Sequence, residues 1–533
     1  TLWDPDGKMN PGKVVRPHRM DENLRLGPDY APWQPRTHFA FAADHGSFAT
    51  ATLRCVGVGK CRRDDGGTMC PSYMATREEQ HSTRGRAHLL FEMLRRTTLA
   101  DGWRDQSVKD ALDLCLACKG CKGECPVNVD MATYKAEFLS HYYAGRLRPR
   151  TAYSMGLIMR WARLASLAPR LVNLTTHAPV LRAVAKAVAG IAPQRDIPRF
   201  APFTFRHWFR ARPPRPTPTT PTATSAPTVL LWPDTFNNHF YPQTAIAAVE
   251  VLEAAGFAVT IPEQTLCCGR PLYDFGMLDT AKAMLRGVLE ALRPAIRAGT
   301  PIVGLEPSCV SVFRDELIQL FPDDEDARRL RAQTFLLGEF LERHAPDYQP
   351  PKLARAAVVH GHCHHKAVLG MGPEERLLRQ MGLDANVLDS GCCGMAGAFG
   401  FETHDDHYGV SIACGERVLL PAVRAAPKDA LIISDGFSCR QQIAQTTDRR
   451  ALHLAEVLHM ALHAGEQGPA GDYPERTADS LTPPHTPRPA RVALLAGAGA
   501  ALAAGVLALA SRRIRNSTKT TIRRTTSRTR RTR

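Results

Sequence analysis

The sequence has no charged stretch followed by an apolar run at its start, where it reads Thr1-Leu2-Trp3-Asp4-Pro5. No secretory leader is expected, so closely spaced cysteines read as metal ligands rather than as a disulfide framework. The first residue is Thr rather than Met, and the expectation is a fragment or a processed chain. Cysteine is missing from 126 to 266, although the chain has fifteen: seven between 55 and 125 and eight between 267 and 439. Acidic side chains are missing from 511–533, which carries ten Lys or Arg. Without that tail the net charge of +16 falls to +6 on the other 510 residues. The basic balance therefore belongs to a tail, and a nucleic-acid-binding body is excluded. Hydrophobic residues at 44% and charged residues at 23% exclude wholesale disorder. A chain of 533 residues has room for about three domains.

Two segments lack periodic apolar residues and read as linkers: the Pro/Thr-rich 212–228 and the Gly/Pro-rich 465–490. They bound residues 1–211, 229–464 and a tail. In the tail, Val492 to Ala510 is nineteen residues without a polar side chain, nine of them Ala and three Gly. That length suits a single membrane span, but ten positive charges after it would prefer the cytoplasm. A span, a helix lying on an anionic membrane surface and a soluble tail all stay open. Residues 153–190 carry Met155, Ile158, Trp161, Leu164, Leu181, Val184 and Val188 at helical spacing, with arginines on the other face. They are either helices packed on the first domain or a membrane- or quinone-facing surface.

Region 229–464 alternates strand and helix, which is α/β architecture. Strands are expected at 229–232, 257–261, 302–305, 356–359, 386–388 and 431–434, and helices at 244–255, 278–298, 308–320 and 402–420. The region also repeats itself. Cys267-Cys268-Gly269 and Cys309 in the first half answer to Cys392-Cys393-Gly394 and Cys439 in the second, and Cys363 adds a thiol that the first half lacks. Cys309, Cys363, Cys392 and Cys439 each follow an expected strand, where open α/β sheets bind ligands. His360, His362, His364 and His365 crowd Cys363, while Cys414 sits in a helical pattern and reads as a packing residue.

The strongest motif is Cys115-x2-Cys118-x2-Cys121-x3-Cys125-Pro126. Three thiolates two residues apart hold three irons of a cubane, and a distant fourth cysteine completes it. Zinc sites favour two separated pairs instead. Upstream, Cys55-x2-Val58-x2-Cys61-x8-Cys70-Pro71 is a degraded copy with Val58 in a ligand position. In two-cluster ferredoxins the cysteine before proline serves the other cluster. Cys70 then joins Cys115, Cys118 and Cys121 in one complete 4Fe–4S site. Cys125 joins Cys55 and Cys61 in a second site that is one ligand short. That site is a 3Fe–4S centre, a 4Fe–4S centre with an oxygen or solvent ligand (Asp64 and Asp65 are near in sequence), or empty.

The paired units with Cys267-Cys268-Gly269, Cys309, Cys363, Cys392-Cys393-Gly394-Met395-Ala396-Gly397 and Ser438-Cys439-Arg440 resemble the CCG cysteine-rich domain. That domain is shared by the heterodisulfide reductase catalytic subunit, the glycolate oxidase iron–sulfur subunit and the anaerobic glycerol-3-phosphate dehydrogenase small subunit. Asp4-Pro5-Asp6-Gly7-Lys8-Met9-Asn10-Pro11-Gly12-Lys13 looks like the last turn of an FAD-linked oxidase C-terminal domain. The order of these parts, with Met69-Cys70-Pro71-Ser72-Tyr73 and Arg84-Gly85-Arg86, is similar to fused D-lactate or D-2-hydroxyglutarate dehydrogenases.

The resemblance implies a multidomain chain. Residues 1–50 would be the end of the flavoprotein domain and a connector, 51–211 a helical ferredoxin-type domain, and 229–464 a duplicated α/β CCG domain; the resemblance stops there, and 491–533 reads from composition alone as an apolar helix and basic tail. It implies FAD in a domain missing from this sequence, a further cluster or metal at the CCG cysteines, and electron transfer from the flavin to a quinone or carrier protein. With no export signal and a basic, apolar tail, the expected location is cytoplasmic at the inner face of the membrane, with a single-pass span still open. Val58 and the absence of a cysteine at the Asp234 position depart from the family pattern. The rival readings are a heterodisulfide-reductase-like or glycerol-3-phosphate-dehydrogenase-like subunit, and a stand-alone membrane-tethered carrier.

Overall fold

The computed structural model describes residues 4–9, 12, 16–22, 26–27, 30–213, 226–404 and 406–479. Most of the expected Pro/Thr linker, the end of the second linker, and the expected apolar helix and basic tail at 491–533 lie outside the described residues. Among the described residues no helix is long and apolar enough to cross a membrane.

The first lobe is helical. The Ser82 hydroxyl starts α1 (Thr83–Arg95) by accepting from the Gly85 N–H, which satisfies a donor that the helix itself cannot. A one-turn helix, α2 (Gly120–Glu124), follows the densest cysteine run. Asp130 then opens α3 (Met131–Tyr142), accepting from the Thr133 N–H at 3.2 Å. Phe41, Phe48, Tyr134 and Phe138 form a core that continues without a break into Leu285, Leu289 and Phe313 of the second lobe.

Between the lobes run α4 (Ile158–Ala165), α5 (Pro169–His177) and α6 (Pro179–Ala189). Of the two readings left open by their periodicity, packing accounts for only one side of each helix. Trp161, Leu164, Leu171, Leu174, Val184 and Val188 are exposed. The stretch between Glu137 and Asp196 has nine Lys or Arg and no acidic residue.

The second lobe holds two parallel sheets. The first contains β1 (Thr228–Trp232), β2 (Ala258–Thr260), β3 (Ile302–Gly304) and β4 (Thr334–Leu336), in the order β2-β1-β3-β4. The second contains β5 (Ala356–Val359), β6 (Asp384–Val387) and β7 (Leu431–Ile433), in the order β6-β5-β7. Leu230 pairs with Ile302 in one sheet and Val358 with Ile432 in the other. The crossovers include α7 (Pro242–Ala254), α8 (Leu278–Arg297) and α9 (Pro307–Ser311). In the second half they include α10 (His407–Glu416), α11 (Leu419–Ala425), α12 (Phe437–Thr446) and α13 (Leu454–Ala464). Val229, Leu231 and Val303 share one buried core with Val359, Leu431 and Ile433, so the two halves pack as a single unit.

Three details differ from the sequence reading. The helix expected at 402–420 is two, because Val418 leaves helical geometry (φ −146°, ψ −50°) and lets Leu419 and Leu420 reach the core beside Ile432. The helix expected at 308–320 widens to a π turn at Val312–Glu316. Residues 465–479, linker-like in composition, are docked: Arg355 donates to the Gln467 carbonyl at 2.8 Å, and Arg449 and Glu475 form a fully buried pair.

Candidate metal centres

The first lobe gathers its seven cysteines around two neighbouring cavities whose walls share Met69 and Thr83. Cys70, Cys115, Cys118 and Cys121 line one, about 290 Å³ in volume. Cys55, Cys61 and Cys125 line the other, about 300 Å³. Each Cys-Pro cysteine therefore sits with the opposite motif. Gly120 permits the crossing: a Cβ there would lie 3.0 Å from the Met69 nitrogen, one residue before Cys70. Among the described residues no fourth thiol lines the second cavity, where Val58 is 63% exposed. Asp64 instead pairs with Arg77 at the surface, and neither Asp64 nor Asp65 lines that cavity.

Buried donors surround these sulfurs. Arg86, 1% exposed, donates from Nη1 to Cys70 Sγ at 3.4 Å and from Nη2 to Ser72 Oγ at 2.9 Å. The Arg84 backbone N–H donates to Cys61 Sγ at 3.3 Å. Burial pushes the Cys118 and Cys121 thiols well above the usual range, so their thiolates need a positive centre between them. An all-sulfur donor set around one cavity fits an iron–sulfur cluster, and the three-thiol cavity fits one with a non-cysteine position.

Lys119, between Cys118 and Gly120, fastens this loop to the second lobe. Burial works against its ammonium, yet Asp130, Asp315 and Glu316 hold it above its ordinary value. Lys122 bonds Asp130 and Asp315, and Arg270 joins Glu316 at 2.6 Å and the Ala117 carbonyl at 3.3 Å. Two of the carboxylates belong to the π turn that the sequence did not signal. Breaking a buried charge set costs about 3–5 kcal/mol. Lys119→Met should therefore lower stability by about that amount in urea unfolding. A loss below about 1 kcal/mol would mean that Lys122 and Arg270 suffice on their own.

In the second lobe the remaining thiols collect at the carboxyl ends of the strands. In the first half Cys268 and Cys309 touch, Sγ to Sγ 2.9 Å, with Cys267 adjoining. Although a Cys268 hydrogen bond works to lower it, burial pushes Cys309 up to about 12. Asp234, where the second half has its extra cysteine, is spent capping a helix through the Phe236 and Asn237 N–H groups. Glu306 is pushed up to about 7 by burial and by Asp234, and it accepts from the Phe437 N–H, linking the two halves.

In the second half, hydrogen bonds from Cys392 and Cys439 hold Cys393 well below the ordinary thiol range. A ring nitrogen of His360 and the sulfurs of Cys393 and Cys439 lie within 4.8 Å of one another, and Nδ1 of that ring is also hydrogen-bonded to Ser390 Oγ at 2.6 Å. Gly394 is required: its φ is +89°, and a Cβ would lie 2.0 Å from the Ser411 carbonyl. Cys414, on α10, packs in one cluster with Cys118, Cys363 and Cys392. His364 Nε2 donates to the Ala117 carbonyl at 3.0 Å, so the second-half thiols lie against the loop of the four-thiol cavity. Lys119 left no sequence signal, Arg86 left only its place in Arg84-Gly85-Arg86, and His360 left only the crowding of histidines around Cys363.

A 4Fe–4S dicluster domain matches residues 51–129, and a cysteine-rich domain of the CCG type matches residues 234–314. Fold and site together define an iron–sulfur protein with a ferredoxin-type dicluster domain ahead of a cysteine-rich α/β domain. The chain belongs to the family of lactate utilization protein A. The Bacillus velezensis member is 30% identical over 237 residues, covering 41% of this chain and 94% of that protein. A subunit of the anaerobic glycerol-3-phosphate dehydrogenase of Escherichia coli is 29% identical over 297 residues, 55% of this chain and 72% of that protein. The D-2-hydroxyglutarate dehydrogenase of Pseudomonas putida is 27% identical over 511 residues. That match takes in 86% of this chain but 48% of the relative, so the chain spans about half the length of that dehydrogenase.

Proposed function

We propose that this chain is the electron-transfer portion of a flavin-dependent D-2-hydroxy acid dehydrogenase of the D-lactate, D-2-hydroxyglutarate or glycolate class. The partition of seven thiols into a four-thiol and a three-thiol cavity carries the reading. Cys70, Cys115, Cys118 and Cys121 would hold a 4Fe–4S cluster, and Cys55, Cys61 and Cys125 a second with one non-cysteine ligand. Cys267, Cys268 and Cys309, and Cys363, Cys392, Cys393 and Cys439, would hold a further cluster or metal. Bound clusters supply one-electron carriage between an FAD-bearing domain or subunit and an acceptor.

The chain's own residues set the conditions for that carriage. Arg86 and the Arg84 N–H donate to sulfur and so favour the electron-rich state, and burial keeps water from the thiolates. Lys119, Arg270 and His364 hold the Cys115–Cys118 loop against the second lobe, fixing the separation over which an electron passes. The acid-free stretch with exposed apolar stripes on α4–α6 supports an acceptor side that rests on an anionic membrane surface. The likeness to a glycerol-3-phosphate dehydrogenase subunit favours, as a second reading, a flavin carried on a separate polypeptide.

The test is iron and acid-labile sulfide per chain in anaerobic preparations, then mixing with a flavin dehydrogenase half and D-2-hydroxyglutarate or D-lactate. At least about seven irons are expected, with bleaching of the iron–sulfur absorbance on substrate addition. Colourless or zinc-loaded protein would overturn the reading.

A further inference from the structure

Where the lobes meet, a cavity opens beside the Cys115–Cys118 loop. Leu116, Leu139, Tyr143, Phe275 and Phe399 give it an apolar body. Its charged groups are largely paired with one another or with backbone: Lys109 with Asp113, Lys135 with the Asp113 and Cys115 carbonyls, and Asp274 with Arg270. His407 is different. It is 4% exposed and stacks on Phe399 with ring centroids 4.4 Å apart. Its Nδ1 meets Glu402 Oε2 at 3.0 Å, while Nε2 is buried without a partner. A carboxylate on one ring nitrogen and a desolvated, unclaimed second nitrogen in a cavity wall make a proton-relay arrangement.

Two further features bear on the occupant. Leu116 and Ala117, which lie between two of the four thiols, form part of the wall. The loop that carries Glu402 is fastened to the end of α6: Thr403 N–H donates to the Gly190 carbonyl at 3.2 Å, and Ala192 N–H donates to the Phe401 carbonyl at 2.7 Å. Pro149, just before the helices with exposed apolar stripes, is also in the wall. The cavity thus touches the cluster loop, and the Glu402 loop in its wall is hydrogen-bonded to the end of the segment suited to a membrane surface.

We propose that this cavity binds a lipid-soluble quinone and is where that quinone is reduced. The proposal rests on the electron-transfer reading above. The quinone takes up two electrons and two protons and leaves as the quinol. A cluster held by Cys70, Cys115, Cys118 and Cys121 would supply the electrons one at a time, being reduced again from the flavin of the proposed dehydrogenase between the two transfers. One proton comes from Nε2 of the His407 imidazolium, whose charge Glu402 offsets and which solvent re-protonates. The second comes from solvent. His407 touches the quinone oxygen and is the catalytic residue; Glu402 acts through it as a positioning residue.

The test uses the full chain, reduced with dithionite and mixed with decylubiquinone, beside equilibrium binding of decylubiquinone to the same protein unreduced. His407→Gln should slow quinone-driven reoxidation at least about tenfold, within the usual range for losing a general acid. It should also weaken decylubiquinone binding, while reoxidation by ferricyanide, a surface acceptor, stays unchanged. Glu402→Gln should lower the turnover number at least about tenfold with KM within about twofold, and should alter the pH profile of quinone reduction. Equal quinone rates in wild type and His407→Gln, or equal binding, would overturn the proposal. If His407→Gln loses iron or its ferricyanide rate, the Glu402 variant decides, and an unchanged pH profile there counts against the site. A chain without iron would fail the electron-transfer reading instead, and its quinone binding would still decide whether this cavity is a quinone site.

Discussion

Cys118→Ala will yield a chain with about four fewer irons than wild type, because one thiolate of the complete set is lost and a cubane on three buried sulfurs is labile. Cys118 is the member best placed for this test. It is buried, and burial together with the Cys363 charge pushes its thiol well up, so without a metal it is protonated and inert. The accompanying loss of stability should be several kcal/mol, since cluster binding is folding energy for the loop it closes. Cys414→Ala is the matched control: an equally buried thiol in the same packed cluster, set on α10 and hydrogen-bonded to the Pro71 carbonyl at 3.5 Å. It should cost only packing energy, about 1–2 kcal/mol, with iron unchanged. Iron analysis and thermal unfolding read both variants together. Equal iron in wild type and Cys118→Ala would remove Cys118 from the ligand set.

Vesicles containing anionic lipid should retain the chain, and Trp161→Glu/Leu164→Glu/Leu174→Glu should release it, lowering the partition constant at least about 100-fold. Each large apolar side chain moved from water into an apolar environment contributes about 1.5–3 kcal/mol, and a helix lying in the interface gains a share of that for its apolar face. These three side chains are exposed, so the substitutions leave the buried core intact. Arg160, Arg170 and Arg182 add about 1 kcal/mol each near an anionic surface, and that part should fade in high salt. Sedimentation with vesicles at low and high ionic strength separates the two contributions. Retention of the triple variant equal to wild type would show that α4–α6 face something other than lipid, with a flavin-bearing partner the next occupant to test.

Several parts of the architecture are written locally in the chain. Cys115, Cys118 and Cys121 fall two residues apart, and Pro126 turns the chain away, so the loop needs no distant partner to be recognised. The strands at 228–232, 302–304, 356–359 and 431–433 are short apolar runs between turn residues and lie where their pattern places them. The pairing of Cys70 with a motif forty-five residues later is non-local, and only the rule for two-cluster ferredoxins points to it. β4, three residues long, has too little pattern to stand out. The break at Val418 is hidden because apolar periodicity continues through it.

By itself the sequence determined the donor types, their grouping in two blocks, the α/β repeat and the amphipathic character of residues 153–190. Each of these depends on residue identity and spacing along one segment. Only the tertiary structure decided that Lys119 lies among three carboxylates of two lobes, and that Nε2 of His407 is left unpartnered in a cavity wall. It also decided that α4–α6 turn apolar stripes outward, since helical spacing is the same whether a stripe meets a core or a lipid surface. Burial and contact between distant segments arise from packing, and spacing along the chain does not encode them.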